Sequence, residues 1–153
     1  MATRRSAVDD NIQSATVKLF LDSSVLFTAV NSPVGGSAKL FTLSKVKLYV
    51  SKIVLHEVER NIRNKLQSYH LERFFMLVKK LFIIDEIPTV KQILKANRVI
   101  VKKDAVILAE VKKSNCDYLI TLDKKDFLQE KINKFIKPKK VLTPRQFFEI
   151  YNN

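Results

Sequence analysis

The chain has 153 residues, 46% of them hydrophobic and 28% charged, enough for one domain with a sizeable core. Its 28 Lys and Arg against 15 Asp and Glu give a formal charge of +13, which suits polyanionic partners and nucleic acid above all. The lone Cys116 excludes an internal disulfide, and the absence of an 18-residue apolar run excludes a membrane-spanning helix as the sequence reads. Residues 1–15 lack the apolar stretch of a secretory signal and are expected to form a flexible arm before a single domain over 16–153. A reducing, cytoplasmic setting fits these features, with Cys116 as a buried, inert thiol.

In chain order, strand-like runs fall at 17–21, 46–50, 81–84, 118–121 and 140–142. The first ends on Asp22, which is either the N-cap of the following helix or a group delivered to a site. Pro33, Gly35 and Gly36 mark a turn. After the second run, Ser51 is a candidate N-cap, and Val54, Val58, Ile62 and Leu66 recur every four residues as one stripe of an amphipathic helix. Phe74, Phe75, Leu77, Val78 and Leu81 predict a second helix. Residues 104–114, apolar on nearly every side at their start, predict a deeply packed one. Pro144 sits where the first residue of a last helix, 144–151, would stand. Strands alternating with helices, and no hairpin signature, predict a mostly parallel sheet covered on both faces.

Several of these runs lead to an acid. Asp22 follows the first, Glu57 lies six residues after Ser51, and Asp123 follows the fourth. In open parallel sheets, functional groups gather beyond the carboxyl ends of the strands, where the strand order reverses. Singly, each acid has a structural role to hand. Asp22 and Asp104 could cap helices, Glu57 could be solvated, and in "TLDKKDF" one of Asp123 and Asp126 could turn the chain while the other caps the next helix. Asp85 and Glu86 also follow a strand. Collectively they need compensation, because two carboxylates about 4 Å apart repel by roughly 4 kcal/mol at an effective dielectric of 20. With no Cys/His set for zinc, all-oxygen ligation favours Mg²⁺ or Mn²⁺.

The segments "VKLFLDSSVLF", "YVSKIVLHEVERNI", "KDAVILAEVKKSNCDYLITLDKKDF" and "VLTPRQFFEI", in that order, resemble a PIN domain, the nuclease fold of VapC-type toxin ribonucleases. The resemblance runs from about residue 16 to the end and rests on the order of the motifs and the 19-residue step from Asp104 to Asp123. It implies a three-layer α/β/α sandwich with a mostly parallel central sheet. It also implies a catalytic metal site of Asp22, Glu57, Asp104 and Asp123, with Thr121 as a polar neighbour and Asp126 as an accessory ligand or, preferably, a helix cap. Where the family usually has Asn two residues after the first Asp, this chain has Ser24, which can still hydrogen-bond but with a shorter reach.

The activity so implied is Mg²⁺- or Mn²⁺-dependent hydrolysis of phosphodiester bonds in single-stranded or structured RNA, leaving 5′-phosphate and 3′-hydroxyl ends. RNA is the expected partner, with an antitoxin protein and a second copy of the chain as further candidates. Two other readings compete: a PIN-like module that binds RNA or protein without catalysis, and a Mg²⁺-dependent phosphatase or phospho-acceptor domain. The latter wants either a second acid two residues after Asp22, where Ser24 stands, or an adjacent acidic pair.

Overall fold

The computed structural model describes residues 16–151; the arm expected at 1–15 lies outside the described residues. Five strands form one sheet: β1 (Val17–Leu21), β2 (Val46–Ser51), β3 (Phe82–Ile84), β4 (Tyr118–Ile120) and β5 (Lys140–Leu142). All four strand pairings are parallel, in the order β3-β2-β1-β4-β5. Central strands of such a sheet are buried on both faces, which is why β1, after Lys18 near its start, ends on the continuous apolar run Leu19-Phe20-Leu21. Leu19, Phe20 and Leu21 are fully buried, as are Leu119 and Ile120 beside them. The edge strand β3 is short and leaves Phe82 and Ile83 partly exposed.

The helices are α1 (Ser23–Asn31), α2 (Gly36–Lys39), α3 (Lys52–Lys65), α4 (Ser68–Val78), α5 (Val90–Ala96), α6 (Lys102–Lys113), α7 (Glu130–Ile136) and α8 (Pro144–Tyr151). They pack in two groups, α1 with α2, α3 and α4, and α6 with α5 and α7, so the sheet is sandwiched as expected. Ser51 is the N-cap of α3, its hydroxyl accepting from the Val54 N–H at 3.2 Å, and Val54, Val58 and Ile62 are buried along the expected stripe. Pro144 opens α8. The second helix runs Ser68–Val78, so Phe74, Phe75, Leu77 and Val78 lie on it, whereas Leu81 falls beyond its end, just before β3. Cys116 is buried, and burial pushes its thiol up to about 11, as an inert side chain requires. Among the described residues no helix is long and apolar enough to cross a membrane.

Two capping assignments need correction. Asp104 does not open its helix: Val101 is the N-cap of α6, and Asp104 lies in the first turn. Asp126 does not cap the next helix, because α7 starts only at Glu130 with Gln129 as its N-cap. Both carboxylates are thereby free for other work.

Candidate metal centre

The chain leaves β1 to build β2 and β3 on one side, then returns to place β4 and β5 on the other. The order therefore reverses between β1 and β4, the crevice where parallel sheets hold ligands. Register does the rest. Leu21 pairs with Ile120, so the next residues, Asp22 and Thr121, meet just beyond the strand ends. The Asp22 N–H donates to the Ile120 carbonyl at 3.0 Å, and the Thr121 hydroxyl donates to Asp22 Oδ2 at 2.8 Å.

Asp22 occupies the N-cap position of α1, but its side chain makes no capping hydrogen bond. Its Oδ2 instead accepts from both Thr121 and Ser24, each at 2.8 Å, while Ser23 lies at 3.5 Å from Oδ1. The shorter reach of Ser24 is sufficient, because its oxygen also accepts from the Leu122 N–H at 3.1 Å and so ties the start of α1 to the loop after β4. Thr121 works in both directions as well, accepting from the Asp123 N–H at 3.0 Å.

Beside this braced pair, Asp104, Asp123 and Asp126 bring one carboxylate oxygen each within 4.8 Å of one another, all three half-buried. Asp104 comes from the first turn of α6; Asp123 and Asp126 come from the turn after β4, where Asp123 Oδ1 accepts from the Asp126 N–H at 2.9 Å. Burial pushes the Asp104 carboxyl up to about 6. Lys103, at 3.8 Å from Oδ2, pulls it down, and the charges of Asp22, Asp126 and Asp123 push it up. Asp104 Oδ2 is buried with no hydrogen-bond partner. A convergent set of hard oxygens, one of them unsatisfied, fits a divalent cation of the Mg²⁺ or Mn²⁺ type.

The structure thus joins Asp104 and Asp123 as expected and adds Asp126, the acid for which a cap was preferred. Asp22 stands close enough for its charge to act on Asp104 without belonging to the three-acid group. Glu57 is half-buried on α3 and belongs to neither set. Asp85 is engaged elsewhere, 3.1 Å from Lys52 on the exposed rim of the sheet.

One acid escaped the sequence reading. Glu110 on α6 is buried, its Oε1 has no partner, and burial raises its carboxyl to about 7 against the opposing hydrogen bond from Ser51. Its spacing gave the signal, since it lies between Ile107 and Val111 on one buried stripe.

Two solved structures share this architecture. One is the VapBC2 complex of Rickettsia felis bound to a DNA fragment from their promoter, at 16% identity and a TM-score of 0.57, covering 82% of this chain and 97% of that one. The other is FitAcB of Neisseria gonorrhoeae, at 18% identity and a TM-score of 0.56, covering 83% and 98%. No curated protein matches the chain significantly. The family model for the PIN domain matches residues 19–132, which span β1 to α7 and include every acid of the site. The chain belongs to the PIN domain family, whose members are generally nucleases.

Proposed function

We propose that the protein is a Mg²⁺- or Mn²⁺-dependent endoribonuclease that hydrolyses phosphodiester bonds in single-stranded or structured RNA, and that it is the toxin of a toxin–antitoxin pair in the cytoplasm. The observation that carries the enzymatic part is the convergence of Asp104, Asp123 and Asp126 around a buried, unsatisfied carboxylate oxygen at the switch point of the sheet. The two-component names of the neighbouring structures, VapBC2 and FitAcB, support a protein partner.

Asp104, Asp123 and Asp126 would hold the ion, with Asp22 adding its charge beside them and Glu57 reserved for a second ion or its waters. What a divalent cation supplies when bound is Lewis acidity: a lowered pKa for attacking water and neutralisation of charge on phosphorus and on the departing 3′-oxygen. The protein's part is to hold geometry. Ser24 and Thr121 fix the Asp22 carboxylate in place by donating hydrogen bonds to its Oδ2. Lys103 places an exposed positive charge beside Asp104, offsetting the repulsion between an acidic pocket and an anionic strand.

The test is cleavage of a labelled single-stranded RNA and the DNA of the same sequence, with Mn²⁺, with Mg²⁺ and with EDTA. RNA should be cut to 5′-phosphate products only with a metal, and Asp123→Asn should slow the reaction by at least about 100-fold. Undiminished cleavage in EDTA, or faster cleavage of DNA than of RNA, would overturn the assignment.

A further inference from the structure

A second cleft opens directly beside the acid group. It has a volume of about 440 Å³, lies between the α5–α6 connection and the loop that leads from β4 into α7, and shares Asp126 with the acids. Arg98, Lys125 and Lys131 line it, together with the amides of Asn97 and Gln129. All three cations are exposed, and among the described residues none has a carboxylate within ion-pairing distance, although Asp126 borders the same cleft. The first turn of α6 begins at the same edge with no side-chain cap on its N-cap, Val101.

We propose that this cleft is a phosphate subsite that grips the backbone of a single-stranded nucleic acid next to the bond being cut. The inference rests on the nuclease reading above and names the chain's own means of holding that substrate. Three exposed cations with no carboxylate partner give one concavity a positive potential that attracts an anion. Arg98 offers a planar fork of donors matched to a phosphate, and the two lysines add point charges. The amide of Gln129 donates to the Lys125 carbonyl, which holds the loop, whereas Asn97 is free to meet a base edge or a ribose.

The neighbouring acids make a polynucleotide the better occupant than an acidic protein segment. A strand can present one phosphate to the cation-loaded acids and the next to Arg98, Lys125 and Lys131. A peptide carboxylate in the cleft would face Asp126 with no such division of labour.

The experiment measures binding by fluorescence anisotropy, with the full chain carrying Asp123→Asn so that no RNA is cut. Arg98→Ala/Lys125→Ala/Lys131→Ala is compared with Lys65→Ala/Lys79→Ala/Lys80→Ala, which removes the same charge from exposed positions on α3 and beyond α4. The cleft variant should bind a short labelled single-stranded RNA about tenfold more weakly, and its salt slope should fall by about 0.7 for each phosphate released. The remote variant should stay within about twofold, and both should melt close to the parent, as exposed substitutions do. Equal losses in the two variants, or no loss in the cleft variant, would overturn the subsite. So would a cleft variant that loses a polyglutamate peptide while keeping RNA. If the wild-type protein cleaves no RNA yet the selective loss persists, the nuclease reading falls and the subsite stands. If it cleaves RNA while the cleft variant binds like the remote one, the subsite falls and the nuclease reading stands.

Discussion

With Oδ2 buried and unbonded and its carboxyl raised to about 6, Asp104 burdens the metal-free fold at neutral pH. The sign follows from linkage: a carboxyl raised above its unfolded value of 3.8 contributes most when protonated, and that contribution is lost as pH rises through about 6. Asp104→Asn removes the charge while its amide can still donate to Asp123 or Asp126. At pH 8 the metal-free variant should therefore be more stable than wild type by about 1–2 kcal/mol, a rise of several degrees in melting temperature, and the gain should narrow towards pH 5. It should also be inactive in cleavage. Stability gained with activity lost is the mark of a ligand; a variant that loses stability would return Asp104 to a structural role. Thr121 makes the opposite prediction. Thr121→Val keeps the shape but strips Asp22 of one close donor and the Asp123 N–H of its acceptor, so it should cost about 1–3 kcal/mol in urea unfolding. An unchanged urea midpoint would show that Ser24 alone braces Asp22. At this scale the positions of Asp22 and Asp123 were legible because each follows a strand, whereas Asp104 came with the family resemblance and lies inside the first turn of α6 rather than at its cap. Asp126 was not legible, since a cap and a ligand in a turn look alike until the next helix is seen to start four residues later.

Legibility among the elements followed length and period. Strands β1 to β5 and helix α3 declared themselves by short, mostly apolar runs or a four-residue stripe, whereas α5 and α7, at 7 residues each, are too short to show a 3.6-residue period. For α5 the usable signal was Thr89 with Gln92, which form a capping box. Helix α6 was read as deeply packed, and so it is, but its polar passenger Glu110 went unnoticed. That residue gives the element its pH response. With its carboxyl raised from 4.5 to about 7 by burial, α6 packs most favourably while Glu110 is protonated, and the contribution fades as pH rises towards and through 7. The full shift is worth on the order of 3 kcal/mol. Wild type should lose melting temperature between pH 5 and pH 8, and Glu110→Gln, neutral at every pH and able to keep a bond with Ser51, should flatten that decline. Parallel pH profiles for the two proteins would mean that Glu110 ionises without strain.

For the molecule as a whole, the strand order explains why residues so far apart in sequence arrive together. Only a sheet that reverses between β1 and β4 sets Asp22 beside Thr121 and brings the β4 loop to the first turn of α6. The alternation of strands and helices foretold a parallel sheet; it did not foretell which neighbours β1 would take, because that is decided by crossover packing rather than by any local run. The assembled charge distribution then gives a discriminating test of the metal centre. A chain of formal charge +13 repels cations in general, so a stabilising response to a divalent ion requires a local site that overcomes the field of the whole. Mn²⁺ at 100 times its dissociation constant should stabilise the folded state by about 2.7 kcal/mol. For a chain of this size that corresponds to a rise of roughly 5–10 °C, reversed by EDTA. Asp123→Asn should lose most of the rise while melting near wild type without metal, since an Asn oxygen can still accept from the Asp126 N–H. Raising the salt should leave the wild-type rise largely intact, because half-buried ligands are weakly screened, whereas adventitious surface binding would fade. A melting temperature that ignores Mn²⁺, or that responds equally in wild type and Asp123→Asn, would detach the three acids from any shared ion.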